Sequence, residues 1–141
     1  MLNQLHIQNF ALIQDLELNL KSGLNIITGE TGAGKSILLG ALGLLSGKRS
    51  DVSVIRGEAK KCVIEGTFRV DNYGLESFFE EHDIDFEKNT IIRREISSSG
   101  KSRAFVNDSP VTLSILKELG SFLIDIHSQL LQCFRQLKYN I

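Results

Sequence analysis

Length, composition and charge already exclude several classes of protein. The chain has 141 residues, of which 42% are hydrophobic and 23% charged, enough for one soluble globular domain with its own core. A formal net charge of −1 lacks the basic footprint of a dedicated nucleic-acid-binding domain. The longest apolar run, residues 37–45, is too short to span a bilayer, and the polar N-terminus is not typical of a targeting segment. We therefore expect a cytoplasmic protein.

The first elements in chain order are strands. Apolar and polar residues alternate over residues 5–10 and 16–20, which predicts two half-buried strands in an antiparallel pair. Residues 21–23 form the next turn. Residues 24–28 are mostly apolar and predict a short buried third strand, which leads into the motif that follows it.

That motif is a phosphate-binding loop. Residues 29–36 fill every fixed position of the pattern G-x-x-x-x-G-K-[ST]. The loop consists of Gly29, Glu30, Thr31, Gly32, Ala33, Gly34, Lys35 and Ser36. We expect its three glycines to adopt positive φ angles and to bring backbone N–H groups close to a phosphate. Lys35 can reach the β and γ phosphates, and Ser36 can ligate Mg²⁺, so the loop predicts binding of a nucleoside triphosphate.

A helix should follow the loop directly. Residues 37–45 are apolar on nearly all sides, which predicts a helix that ends near Gly47 and is covered on more than one side. Residues 62–70 return to a strand pattern, with Cys62 expected to be a buried small hydrophobe. Residues 75–81 predict a short helix.

The last third of the predicted fold begins with a hairpin. Residues 90–96 and 103–106 are expected to pair across the turn at 97–100. After a further turn at residues 107–110, residues 113–126 divide into two elements. We expect a helix over 113–119 that ends at Gly120, because glycine suits the position after a helix, and then a buried strand over 122–126.

Five segments together resemble a known family. They are residues 5–13, 28–36, 48–51, 102–107 and 125–129. They resemble the N-terminal part of RecN, a family of bacterial DNA repair proteins, and the match runs from residue 1 to about residue 129. The resemblance implies an α/β fold of the P-loop NTPase class. More specifically, it implies the N-terminal lobe of an ABC-type ATPase head, similar to the structural-maintenance-of-chromosomes (SMC) proteins, with a mixed β-sheet around the P-loop helix. In that family, the two ends of one long chain assemble the head, and an antiparallel coiled coil lies between them.

The same resemblance implies a function and partners. It implies ATP and Mg²⁺ as cofactors and a role in recombinational double-strand break repair. The partners would be the C-terminal lobe of the same head, a second head in an ATP-dependent dimer, and DNA bound through the full-length protein, without membrane contact. The location would be the bacterial cytoplasm, in association with the nucleoid.

Three residues near the end of the match bear on catalysis. The resemblance assigns Gln129 to the Q-loop, whose side chain contacts Mg²⁺ and the attacking water; without it, an exposed polar residue is the simpler interpretation. His127 is better interpreted as a structural, hydrogen-bonded group. Asp125 follows an apolar run, as the Walker B acid that holds Mg²⁺ would. The family places its Walker B further downstream, so we interpret Asp125 as structural.

Residues 130–141 depart from the family pattern. No coiled-coil heptads, signature motif or Walker B follow. We therefore divide the chain into an N-terminal lobe at 1–129 and a tail at 130–141. We interpret the chain as a truncated or a naturally short product. ATP hydrolysis by this chain is then expected to be near background.

Two alternatives stay open. The first is a small P-loop nucleotide kinase or GTPase that uses Asp125 as its Walker B acid, although no Asn-Lys-x-Asp motif or arginine-rich lid is present. The second is a non-catalytic interaction module with a vestigial loop, against which the intact Lys35 and Ser36 argue.

Overall fold

The computed structural model describes residues 1–30 and 32–126, and most of its strands and helices match the predicted ones. The strands are β1 (Leu2–Phe10), β2 (Ile13–Asn19), β3 (Lys61–Arg69), β4 (Asn89–Ser97), β5 (Ser102–Val106) and β6 (Ser109–Val111). The helices are α1 (Gly32–Leu45), α2 (Glu76–Glu81) and α3 (Leu113–Leu123), with a 3₁₀ turn at Val52–Val54.

The six strands form one sheet in the order β2-β1-β3-β4-β5-β6. All five of its strand pairs are antiparallel. The antiparallel start of the chain and the β4–β5 hairpin are therefore confirmed. A mixed sheet also needs a parallel pair, and none is found in the described ranges.

Alternation of side chains gives the sheet one buried face. In β3, Cys62, Ile64 and Phe68 are fully buried, whereas Glu65 and Thr67 between them are only partly covered. Burial raises the pKa of the Cys62 thiol to about 11, so this thiol stays protonated and unreactive at neutral pH. The expectation of a buried, inert Cys62 is confirmed.

Helix α1 packs against the buried face of the sheet most deeply with its C-terminal half. Ala41, Leu44 and Leu45 are buried, and Leu45 lies over Gly66 of β3, where a Cβ atom would come within 2.8 Å of the leucine Cδ1. Gly32, Gly34, Lys35 and Ser36 at its start are exposed. Within the predicted span 37–45 only Gly40 is exposed, and Ile37 and Leu38 are partly buried against the core. Cover on more than one side of this helix stays a prediction. No helix in the described part of the chain is long and apolar enough to cross a membrane.

The C-terminal end of α1 is capped by backbone hydrogen bonds. Gly47 adopts φ +89°, and its N–H donates to the Leu44 carbonyl at 3.2 Å, while the Lys48 N–H donates to the Gly43 carbonyl at 3.0 Å. This is the left-handed cap that glycine favours. The predicted end of the helix near Gly47 is confirmed.

A buried arginine joins this capped end to the sheet. Arg94 of β4 is 1% exposed, and its Nη1 donates to the carbonyls of Leu44 at 3.0 Å and Lys48 at 3.1 Å. Its Nη2 donates to the Ser102 hydroxyl at 2.7 Å. A cation at the carbonyl end of a helix is favourable because the macrodipole is negative there. Arg94 therefore fixes the C-terminal end of α1 on β4 and β5.

Residues 24–28 do not form the predicted buried strand. Leu24 is 88% and Ile26 77% exposed, and the segment has no strand assignment. The side chain of Asn25 accepts a hydrogen bond from the Lys21 N–H at 3.0 Å and donates one to the Lys21 carbonyl at 2.7 Å. These bonds close a local turn, and no described strand pairs with the residues that follow.

Two further differences lie in the C-terminal third. Helix α3 continues through Gly120 to Leu123. Glycine is needed at position 120 because a Cβ there would come within 2.7 Å of the Ser46 Cα, and not because the helix ends. Phe122 is therefore helical and 51% exposed, and the predicted buried strand at 122–126 is wrong. The predicted turn also ends early, since β6 includes Pro110, which an edge strand tolerates.

Candidate functional site

The phosphate-binding loop lies at the exposed N-terminal end of α1. Gly29 and Glu30 end the irregular segment before the helix, and Gly32 is its first residue. Thr31 lies outside the described residues. The first turn contains no acidic side chain that would neutralise the partial positive charge of the unpaired N–H groups. This end of the helix can therefore accept an anion.

Two of the three loop glycines do not adopt the predicted backbone conformation. Gly32 and Gly34 are helical and do not have positive φ angles, because α1 begins at Gly32 itself. A Cβ built at either position would have no heavy atom within 4 Å. The glycines therefore leave open space beside the helix backbone, where a phosphate can approach the N–H groups.

Lys35 and Ser36 are the two side chains that could contact a nucleotide and its metal. Both are exposed, as a lysine that reaches a phosphate must be. The Ser36 hydroxyl donates to the Gly32 carbonyl at 3.1 Å, which leaves its oxygen lone pairs available to a cation. These groups fit a magnesium-bound triphosphate.

The metal itself would have few ligands from the protein. Within residues 1–30 and 32–126, no group of three or more His, Cys, Asp or Glu residues is placed to hold a metal ion. Mg²⁺ commonly takes one or two protein ligands and completes its shell with phosphate oxygens and water. Ser36 is the described residue suited to that role.

The other predicted site residues lie at the end of the described chain or beyond it. Gln129 and His127 lie outside the described residues, as does the tail at 130–141. Asp125 is exposed and follows the end of α3. Two open clefts of about 570 and 580 Å³ lie beside α3, and neither is lined by a loop residue. The described part of the site is the exposed start of α1.

Arg94 positions α1 and is not among the predicted site residues. It lies on the buried face of β4 with Ile92 and Ile96. The alternation of that strand places residues 92, 94 and 96 on one face. That periodicity was the signal for a buried arginine.

Comparison with known proteins gives three concordant results. A family model described as an AAA domain matches residues 4–140. The DNA repair protein RecN of Vibrio cholerae is 46% identical over 92% of this chain and 24% of its own length. RecN of Bacillus subtilis is 42% identical over 92% of this chain and 23% of its own length. The chain thus spans about a quarter of the curated relatives that it matches. These relatives confirm the resemblance to RecN.

Solved structures agree on the fold. One described as concerning "ATP-driven dimerization and DNA stimulated activation of SMC ATPases" has a TM-score of 0.71 at 19% identity, and covers 86% of this chain and 78% of its own. The SMC head bound to the C-winged helix domain of ScpA has a TM-score of 0.70 at 21% identity. The match covers 91% of this chain and 42% of that one. At this identity the likeness concerns architecture, and it confirms the predicted α/β fold, which this chain shares with SMC head domains.

Proposed function

Because the chain belongs to the AAA domain family, we propose that it is the ATP-binding N-terminal part of a RecN-like DNA repair ATPase. The full-length protein would act in recombinational double-strand break repair. The observation that carries this proposal is the exposed start of α1, where Lys35 and Ser36 stand beside two unobstructed glycines. The names of the curated relatives support the repair role.

Each group at the start of α1 has a distinct task in this proposal. The N–H groups of the first turn bind phosphate oxygens, and the helix dipole adds to their attraction. Lys35 neutralises charge on the β and γ phosphates, and Ser36 contributes a hydroxyl oxygen to Mg²⁺. The metal, when bound, offsets the charge of the triphosphate. These tasks amount to binding and orientation.

Hydrolysis needs more than these groups. A water must be positioned for in-line attack on the γ phosphate, and we propose Gln129 for that role together with residues of a second lobe. The chain alone should therefore bind ATP and hydrolyse it slowly. Turnover on the order of 1 s⁻¹ would instead support the small kinase or GTPase that uses Asp125.

The exposed apolar residues before the loop indicate where a second lobe would bind. Leu24, Ile26 and Ile27 are more than half exposed, although their sequence is typical of a buried strand. We propose that the C-terminal lobe of the same head covers them and pairs with this segment. A second head would then bind in an ATP-dependent manner, as SMC ATPases are described to do. The assembled protein would bind DNA near the nucleoid.

Nucleotide binding can be tested with one substitution and a matched control. Hydrogen bonds to charged groups contribute about 1.5–3 kcal/mol, so Lys35→Ala should weaken Mg-ATP binding roughly ten- to a hundredfold. Lys21→Ala removes an exposed lysine that lies outside the loop and should have no effect. Isothermal titration calorimetry compares the three proteins. Equal affinity for wild type and Lys35→Ala would remove the loop from the mechanism.

The partner lobe can be tested separately. Adding a purified C-terminal lobe of a RecN relative should raise both the solubility of the chain and its ATPase rate, because one interface covers the apolar segment and delivers the Walker B acid. Ile26→Asp should abolish both effects and leave ATP binding intact. A monomeric chain that does not respond to the added lobe would contradict the two-lobe head.

A further inference from the structure

The cleft of about 580 Å³ between the end of α1 and helix α3 has a basic lining. Lys48 and Arg49 line it from the α1 side, and Lys117 lines it from α3. All three are exposed. No acidic side chain is among the residues that line this cleft. We call Lys48, Arg49 and Lys117 the basic cleft.

Glycines on both sides bring these cations together. A Cβ at Gly47 would come within 2.6 Å of the Lys117 Cα, and a Cβ at Gly120 would come within 2.7 Å of the Ser46 Cα. The loop after α1 and helix α3 are therefore in backbone contact. The side chain of Lys48 lies over Gly43, where a Cβ would come within 2.9 Å of the lysine Cδ. The three cations are thus placed by the fold of the backbone.

Their charges are not neutralised by neighbouring side chains. Within the described ranges, the ion pairs formed by lysine and arginine involve Lys61, Arg69 and Arg93, and none involves the basic cleft. Glu118, the acid next to Lys117 in sequence, lies 4.0 Å from His82 instead. Like charges that share a cleft repel one another. An anionic ligand would relieve that repulsion.

We propose that the basic cleft binds the phosphodiester backbone of duplex DNA. The choice of DNA as the ligand rests on the proposed repair function. The location of the site rests on the three cations of the cleft. No aromatic side chain lines the cleft, so it offers no platform on which unpaired bases could stack. The cations and the hydroxyl of Ser114 suit phosphate contacts, which do not depend on base sequence.

The basic cleft is also separate from the nucleotide loop. The two sites lie at opposite ends of α1, whose 14 residues span about 21 Å at 1.5 Å per residue. Substitutions in one site should therefore not alter ligand contacts in the other. This separation lets the two proposals fail independently.

The test uses the 141-residue chain and a short fluorescein-labelled DNA duplex of mixed sequence. The cleft variant carries Lys48→Gln, Arg49→Gln and Lys117→Gln. Each phosphate contact contributes about −0.9 to the slope of log K against log salt. We expect the variant to bind the duplex roughly tenfold or more weakly near 0.1 M salt, and its salt slope to be shallower by about 2 to 3. Fluorescence anisotropy at several salt concentrations measures both quantities.

A control variant separates a site from general electrostatics. It carries Lys21→Gln, Lys60→Gln and Lys88→Gln, three exposed lysines outside the cleft, and it has the same net charge as the cleft variant. It should retain wild-type affinity and salt slope. Equal losses in both variants, or no loss in the cleft variant, would overturn the proposal. A loss seen only with single-stranded DNA would overturn the choice of duplex.

Nucleotide binding provides the remaining comparison. The cleft variant should bind Mg-ATP as the wild type does, whereas Lys35→Ala should bind ATP roughly ten- to a hundredfold more weakly and bind the duplex as the wild type does. If the cleft variant lost both ligands and unfolded at lower urea, the three cations would be structural and the proposal wrong. If Lys35→Ala bound ATP with wild-type affinity while the cleft variant still lost duplex binding, the proposed function would be wrong and the basic cleft would be supported.

Discussion

The two halves of α1 are packed in opposite ways. Its C-terminal half lies on the buried face of the sheet with Leu44 and Leu45, while its N-terminal half carries the exposed Lys35 and Ser36. The same contrast separates Phe68, which is fully buried in β3, from Ile26, which is 77% exposed before the loop. Stability and ligand binding therefore reside at different ends of one helix. Each should be alterable without the other.

The largest expected effect compares two apolar residues across this divide. Phe68→Ala should lower the free energy of unfolding by about 3–5 kcal/mol, because it leaves a cavity in the core. Ile26→Ala should change it by less than about 0.5 kcal/mol, as an exposed substitution does. Urea denaturation followed by circular dichroism measures both. A comparable loss in Ile26→Ala would mean that residues 24–28 are buried in the free chain.

The buried arginine gives the next largest effect. Arg94→Met should destabilise the fold by roughly 2–3 kcal/mol, because the Leu44 and Lys48 carbonyls each lose a donor from a charged group. Arg103→Met, on the neighbouring strand β5 and exposed, serves as the control and should cost less than about 0.5 kcal/mol. The same denaturation assay compares them. Equal stability of the two variants would show that Arg94 does not hold the helix end.

Two glycines of α1 and its cap sharpen the contrast further. Gly47→Ala should cost about 2 kcal/mol, because alanine is strained at positive φ and its Cβ meets the Lys117 backbone. Gly34→Ala has free space and helical geometry, so it should stabilise the chain by up to about 1 kcal/mol. It should nonetheless weaken ATP binding, since the added methyl group occupies the space of the phosphate. Denaturation and calorimetry together test the pair, and unchanged ATP affinity in Gly34→Ala would contradict the proposed approach of the phosphate.

The parts of the fold that sequence predicted correctly are those fixed by local patterns. Alternation in residues 62–70 and 90–96 determines which side chains face the core, and the hairpin between β4 and β5 needs only neighbouring chain. The end of α1 was predictable because Gly47 satisfies a purely local cap. The motif predicted a helix from residue 37, whereas α1 already begins at Gly32. The roles of Lys35, Ser36 and Gln129 in binding stay predictions.

The errors have a common physical origin in contacts between distant segments. Residues 24–28 have the composition of a buried strand, but burial requires a partner strand, and composition alone does not provide one. Gly120 resembled a helix end, yet the position requires glycine because Ser46 lies against it. Arg94 resembled surface charge, although its partners are carbonyls about 50 residues earlier. A single sequence does not show such partners.

The attachment of α1 has a mechanical consequence. The helix is held most firmly at one end, since Arg94 and the Gly47 cap fix its C-terminal end to the sheet. Its loop end has only the partly buried Ile37 and Leu38 on the core, and Gly32, Gly34, Lys35 and Ser36 are exposed. A rotation of about 5° about the fixed end displaces the tip of a rod about 21 Å long by roughly 2 Å. The C-terminal end of α1, which Lys48 and Arg49 follow in the chain, moves very little. Small rotations of this rod are therefore amplified at the nucleotide end and suppressed at the other.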